Sequence, residues 1–235
     1  METALPRSVA GPAFVRLLAS VVQLEGAAPE AGLLEKLGQW VDWNRAVSLA
    51  RALDGRVAPA SAPAAALDGL RAEAARVRAA LAAAIADARA WDEAAVDPAG
   101  LPEPDAAAEF AGLRRRYLRL QDAIAAATGR LRGQLREALA ARSPELARLG
   151  EIDAVLEGVL SPREHALLGA VPALLERAFL RLHAQAHDHP AGDADAPASP
   201  PPGDWRARVR RDLQALLQAE LEVRFSPIDA LLAAA

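Results

Sequence analysis

Residues 65–91 read AALDGLRAEAARVRAALAAAIADARAW. Within them Leu67, Leu70, Ala74, Val77, Leu81, Ala84, Ala88 and Trp91 recur at spacings of three and four. An apolar residue every 3.5 positions or so marks a helix that buries one narrow stripe against a partner helix. Arg71, Glu73, Arg76, Arg78, Asp87 and Arg89 fall mostly off that stripe. At 1.5 Å per residue such a helix is about 40 Å long. A second run begins at Phe110 and continues through Leu113, Tyr117, Leu120, Ile124, Ala127 and Leu131, then steps by four to Leu135 and Leu139. That change of step is a stutter, where a supercoil unwinds toward a straight helix. Pro98, Gly100, Pro102 and Pro104 separate the two runs, and no helix passes through them. The pattern predicts an all-α protein, a helical bundle built on a long antiparallel, coiled-coil-like hairpin with arms Ala65–Trp91 and Phe110–Arg142. The stretch from Gly129 to Arg142 outlasts the first arm and is expected to lack a heptad partner.

Toward the N-terminus, Gly11-Pro12 opens a helix carrying Phe14, Leu17, Leu18, Val21 and Val22, which Gly26 and Pro29 end. Leu33, Leu34, Leu37, Trp40 and Val41 mark a second helix, so residues 1–57 are expected to form a short helical hairpin. Residues 58–143 hold a Pro-rich linker and the long hairpin. Residues 144–235 supply further helices. Ser143-Pro144-Glu145 caps one of them. Ser161-Pro162-Arg163-Glu164 is a capping box that opens another, which Pro172 is expected to kink or divide. Residues 186–203 are rich in Pro, Asp and Ala and read as a disordered loop. Asp204 caps a last helix with Trp205, Val209, Leu213, Leu216, Leu217 and Leu221 on one face. Ser226-Pro227 reads as a turn before a short apolar tail.

Composition narrows the function. Of 235 residues 52% are hydrophobic, but alanine supplies much of this and aromatics only 4%, which predicts a thin, close-packed core. The net charge of −4 does not draw the whole chain to nucleic acid or an anionic membrane. Cysteine is absent, which rules out disulfides, thiolate nucleophiles and Cys-type zinc sites. No stretch approaches the roughly 20 apolar residues of a membrane span. No membrane insertion is expected, and the expected compartment is the cytoplasm.

Motifs that carry chemistry are missing. There is no phosphate-binding Gly-rich loop, no H-E-x-x-H and no nucleophile elbow. His183, His187 and His189 form H-x-x-x-H-x-H, but they run into the expected loop without a rigid frame and read as a polar helix end, not a metal site. No catalytic residue, cofactor or metal is assigned, and no enzyme is expected.

Charge is more informative. From Phe110 to Arg142 eight arginines (Arg114, Arg115, Arg116, Arg119, Arg130, Arg132, Arg136 and Arg142) face only Asp122 and Glu137. From Ser143 to Glu176 the sign reverses. The two stretches either answer each other within the fold or offer a basic arm to a partner. The expected role is a helical adaptor or scaffold that binds another protein, with self-association of the hairpin into a homodimer as a further expectation. Candidate contacts are Trp40, Trp43, Tyr117 and Trp205, because aromatics dominate interface energy, together with Arg114, Arg115, Arg130 and Arg136. The alternative is a nucleic-acid-binding accessory protein that uses the arginine-rich helix.

Gly11-Pro12-Ala13-Phe14-Val15-Arg16-Leu17-Leu18, Leu37-Gly38-Gln39-Trp40-Val41-Asp42-Trp43 and Val171-Pro172-Ala173-Leu174-Leu175-Glu176-Arg177-Ala178-Phe179 together resemble an uncharacterised proteobacterial family, a domain of unknown function. The resemblance covers most of the chain. Members tend to be encoded beside MotA-like and OmpA-like envelope proteins, so it implies an accessory role near an envelope-spanning assembly. It implies no activity, cofactor or residue role.

Overall fold

The computed structural model describes residues 13–22, 47, 50, 53, 65–95, 106–188 and 204–235. Among them all regular elements are helices: α1 (Ala13–Val22), α2 (Ala65–Ala86), α3 (Ala88–Ala95), α4 (Ala106–Ala140), α5 (Pro144–Asp188) and α6 (Asp204–Ala234). None is long and apolar enough to cross a membrane. The second helix of the expected N-terminal hairpin, with Trp40 and Trp43, lies outside the described residues, as do 189–203.

The helices pack as a bundle, and contacts divide the chain into two compact units. The first takes Met1–Ala27, Ala82–Ala123 and Ala170–Leu221; the second takes Ala28–Leu81, Ile124–Gly169 and Glu222–Ala235. In the first unit Trp91, Phe110, Tyr117, Phe179, Leu216 and Leu217 are fully buried. In the second, Leu131, Leu135, Leu139, Phe225 and Ile228 fill the centre. Ala74, Ala127, Ala147 and Ala178 are buried in the core, but most of its side chains are larger. Ala72, Ala75, Ala79 and Ala83 of α2 face outward, and leucine and aromatic side chains do the packing. The alanines serve α2 through backbone propensity, because they lose no side-chain entropy in a helix.

All nine seam positions of α4, from Phe110 to Leu139, are buried. The stretch from Gly129 to Arg142 therefore does have an intramolecular partner, contrary to expectation. Leu131, Leu135 and Leu139 are enclosed, and α5 supplies the opposing charges described below.

The first arm departs from expectation at Asp87, where α2 stops and α3 starts. Ile85, not Ala84, is buried, and Ala88 is exposed. A helix break leaves carbonyls without their usual amides. Here side chains take over. Trp91 Nε1–H donates to the Ile85 carbonyl at 2.8 Å and Gln214 Nε2–H donates to it at 3.1 Å. Arg116 donates to the Ala84 carbonyl at 2.8 Å, and its guanidinium lies 5.2 Å from the centre of the Trp91 ring. Asp87 Oδ1 accepts the Ala90 N–H at 3.3 Å, capping α3.

Two proline readings are corrected, at Ser161-Pro162 and Ser226-Pro227, and Pro172 does not divide its helix. α5 runs unbroken through Ser161-Pro162 and through Pro172, and α6 runs through Pro227 to Ala234. A proline inside a helix costs roughly 3 kcal/mol through its missing donor and a clash with the preceding turn. The flanking residues offset this by burial: Val159, Val171 and Leu175 in α5, and Phe225, Ile228 and Leu231 in α6. Glu164 closes no capping box; it pairs with Arg224 at 3.1 Å.

Ser143 does cap α5: its Oγ accepts the Leu146 N–H at 3.2 Å. Glu145, bound to its own backbone N–H and to Ser143, is held below the usual carboxylate range. Ser143→Ala is expected to cost about 1 kcal/mol in urea denaturation at neutral pH. A lowered carboxylate stabilises above its unfolded pKa, and that part is lost as pH falls through the folded value. The cost of the substitution should therefore shrink in acid.

Candidate functional site

The arginines of α4 fall into two groups. In the second unit Arg132 grips Asp153 with two parallel bonds, Nε to Oδ2 at 2.7 Å and Nη2 to Oδ1 at 2.6 Å. Arg136 Nη1 bridges Asp153 at 3.1 Å and Glu157 at 2.6 Å. Asp153 is buried and both guanidiniums are largely covered. Burial works against the charge of Arg132, but hydrogen bonding to Asp153 and the field of Asp153 and Glu157 outweigh it, so its pKa stands above the ordinary value. These arginines are structural. Arg136, a predicted partner contact, is committed within the fold.

The second group lies in the first unit. Arg114, Arg115 and Arg119 are exposed, and among the described residues no ion pair or hydrogen bond engages their side chains. They stand on one outward face of α4, with half-buried Ala111 and Leu118 between them and Asp122 at the end. Arg116, on the inward side, stacks on Trp91 as described. Arg130 is exposed and likewise unpaired among the described residues, but it stands apart in the second unit. Tyr117 is fully buried and offers nothing to a partner.

Trp205 is half-buried in an aromatic cluster of the first unit. Its ring meets Phe179 at 5.3 Å and His183 at 5.5 Å, and Phe179 meets Phe110 at 5.2 Å. Arg206 lies 4.7 Å from the Trp205 ring centre and holds the buried Glu109 carboxylate at 2.7 and 3.1 Å. Arg210 pairs with Asp92. These four charged residues rim a cleft of about 210 Å³ floored by Leu113, Phe179 and Val209. That is below the roughly 300 Å³ at which small-molecule pockets begin, and the rim charges already satisfy each other. His183 is packed by its aromatic neighbours, and no group of three potential ligands stands together among the described residues.

A family model described as "Protein of unknown function (DUF3348)" matches residues 1–235, the whole chain. The chain belongs to the DUF3348 family. No curated protein matches it, and no solved structure does.

Net charge alone does not separate the seven arginines of α4. The expectation that the basic and acidic stretches answer each other within the fold holds for Arg132, Arg136, Asp153 and Glu157. A signal was there: Arg132 and Arg136 are four residues apart on one helix, and Asp153 and Glu157 four apart on the next. The Glu109–Arg206 pair had no signal, since the two are 97 residues apart.

Proposed function

We propose that this DUF3348 chain is a non-catalytic helical adaptor of the cytoplasm, accessory to an envelope-associated assembly, that binds an acidic partner protein through Arg114, Arg115 and Arg119. The observation behind this reading is the sorting of the α4 arginines. Arg132 and Arg136 are held by Asp153 and Glu157; Arg114, Arg115 and Arg119 are left in solvent, with Asp122 at the end of their face and no ion pair among the described residues. Exposed like charges on one face repel each other, and a partner carboxylate relieves that repulsion. Guanidinium forks match carboxylates bidentately.

The same arginines favour a second reading, nucleic-acid binding. It has less support. Three phosphate contacts give weak attachment, and stacking on bases needs exposed aromatics, whereas Tyr117 and Trp91 are buried.

The test is charge reversal, Arg114→Glu with Arg115→Glu and Arg119→Glu. The variant should melt with the parent, because these side chains make no internal bond. It should lose the protein partner that the parent cross-links in its own cells. Retention of that partner sinks the reading. A duplex that binds the parent with a log–log salt slope of about −3 would favour the nucleic-acid alternative.

A further inference from the structure

Within the first unit, Ala111, Arg115, Leu118 and Asp122 follow one another along α4 at steps of four, three and four. Arg115 and Asp122 are exposed, and Ala111 and Leu118 are half-buried. Arg114 and Arg119 stand beside this stripe, both exposed. Arg115 and Arg119, four residues apart, are separated by about 6 Å along the helix axis.

We propose that this stripe receives an acidic amphipathic helix of the partner, with two carboxylates four residues apart over Arg115 and Arg119, a small apolar side chain against Leu118, and a basic residue opposite Asp122. The proposal rests on the adaptor reading above and gives the partner a charge pattern. Charge complementarity is the first argument. Three unpaired guanidiniums call for carboxylates, and the exposed Asp122 repels them, so the acidic run must end there and a cation follow. The second argument is the repeat, since side chains four apart on a partner helix also advance about 6 Å. The third concerns backbone. An extended peptide binds well where it finds a sheet edge to share hydrogen bonds. The backbone groups of α4 over this stretch are spent inside the helix, so a strand laid here gains no main-chain bonds. A helix arrives with its own backbone satisfied and needs only side-chain contacts.

The experiment uses the whole chain and two labelled helical peptides of identical composition. One carries Glu at i and i+4 and Arg at i+7; the other carries the same residues with the acids at i and i+2. Fluorescence anisotropy at low salt should show the first binding at least about tenfold more tightly. Arg115→Glu with Arg119→Glu should abolish that preference, and Arg130→Glu, exposed but in the second unit, should leave it intact. Equal binding of the two peptides overturns the helix proposal while the adaptor reading stands on its own capture test. Tighter binding of duplex DNA than of either peptide overturns both.

Discussion

Trp91→Ala is expected to destabilise the chain by about 3–5 kcal/mol, the range for removing a large aromatic from a core. Trp91 has no exposed surface. It fills the first unit beside the break between α2 and α3, and its indole N–H satisfies the Ile85 carbonyl that the break orphans. The substitution removes both roles and takes from Arg116 the ring it stacks on. Trp91→Phe separates them. It keeps most of the ring and drops the donor, which costs about 1 kcal/mol in hydrogen bonding before any packing change. Gln214 still donates to the same carbonyl, which keeps that loss small. The measurement is equilibrium denaturation of both variants. If Trp91→Ala came within about 1 kcal/mol of the parent, the break would be held by something other than this side chain.

The break also shows where sequence reading stops. From Phe110 to Leu139 the apolar spacing was legible because a single rule, burial of one stripe, decides those positions, and every seam residue is enclosed. In α2 the stripe is buried at Leu67 and Ala74 and half-buried at Leu70, Val77 and Leu81, and burial then moves by one position to Ile85. Nothing local announces this beyond Asp87, a good cap, since the groups that stabilise the break are Arg116 and Gln214, far along the chain. The prolines failed for a related reason. Ser161-Pro162, Pro172 and Ser226-Pro227 are strong local stop signals, yet the helices continue, with Val159, Val171, Leu175, Phe225 and Ile228 buried near them. For the candidate site, composition made the arginines of α4 visible, but only the fold separates those neutralised by α5 from Arg114, Arg115 and Arg119.

Asp153→Ala is the complementary test of that separation. Asp153 accepts from Arg132 twice and from Arg136 once, and its side chain is 11% exposed, less than either partner at 16% and 21%. Truncating the acid leaves two largely covered guanidiniums with Glu157 alone between them. Breaking a buried pair from one side costs about 3–5 kcal/mol because the surviving charge stays desolvated. Retention of Glu157 places this variant near the lower figure. Removing charge from both sides is a different experiment. Arg132→Met with Asp153→Leu deletes the pair and fills its volume with apolar atoms, and such exchanges are often neutral or stabilising. The double variant should therefore be more stable than Asp153→Ala alone, although it loses more hydrogen bonds. If instead it is the less stable of the two, the bonds themselves, and not the stranded charge, hold this part of α4 against α5. In both variants Arg114, Arg115 and Arg119 keep their exposure, so a folded Asp153 variant that retains the acidic partner would place binding and stability in different arginines of one helix.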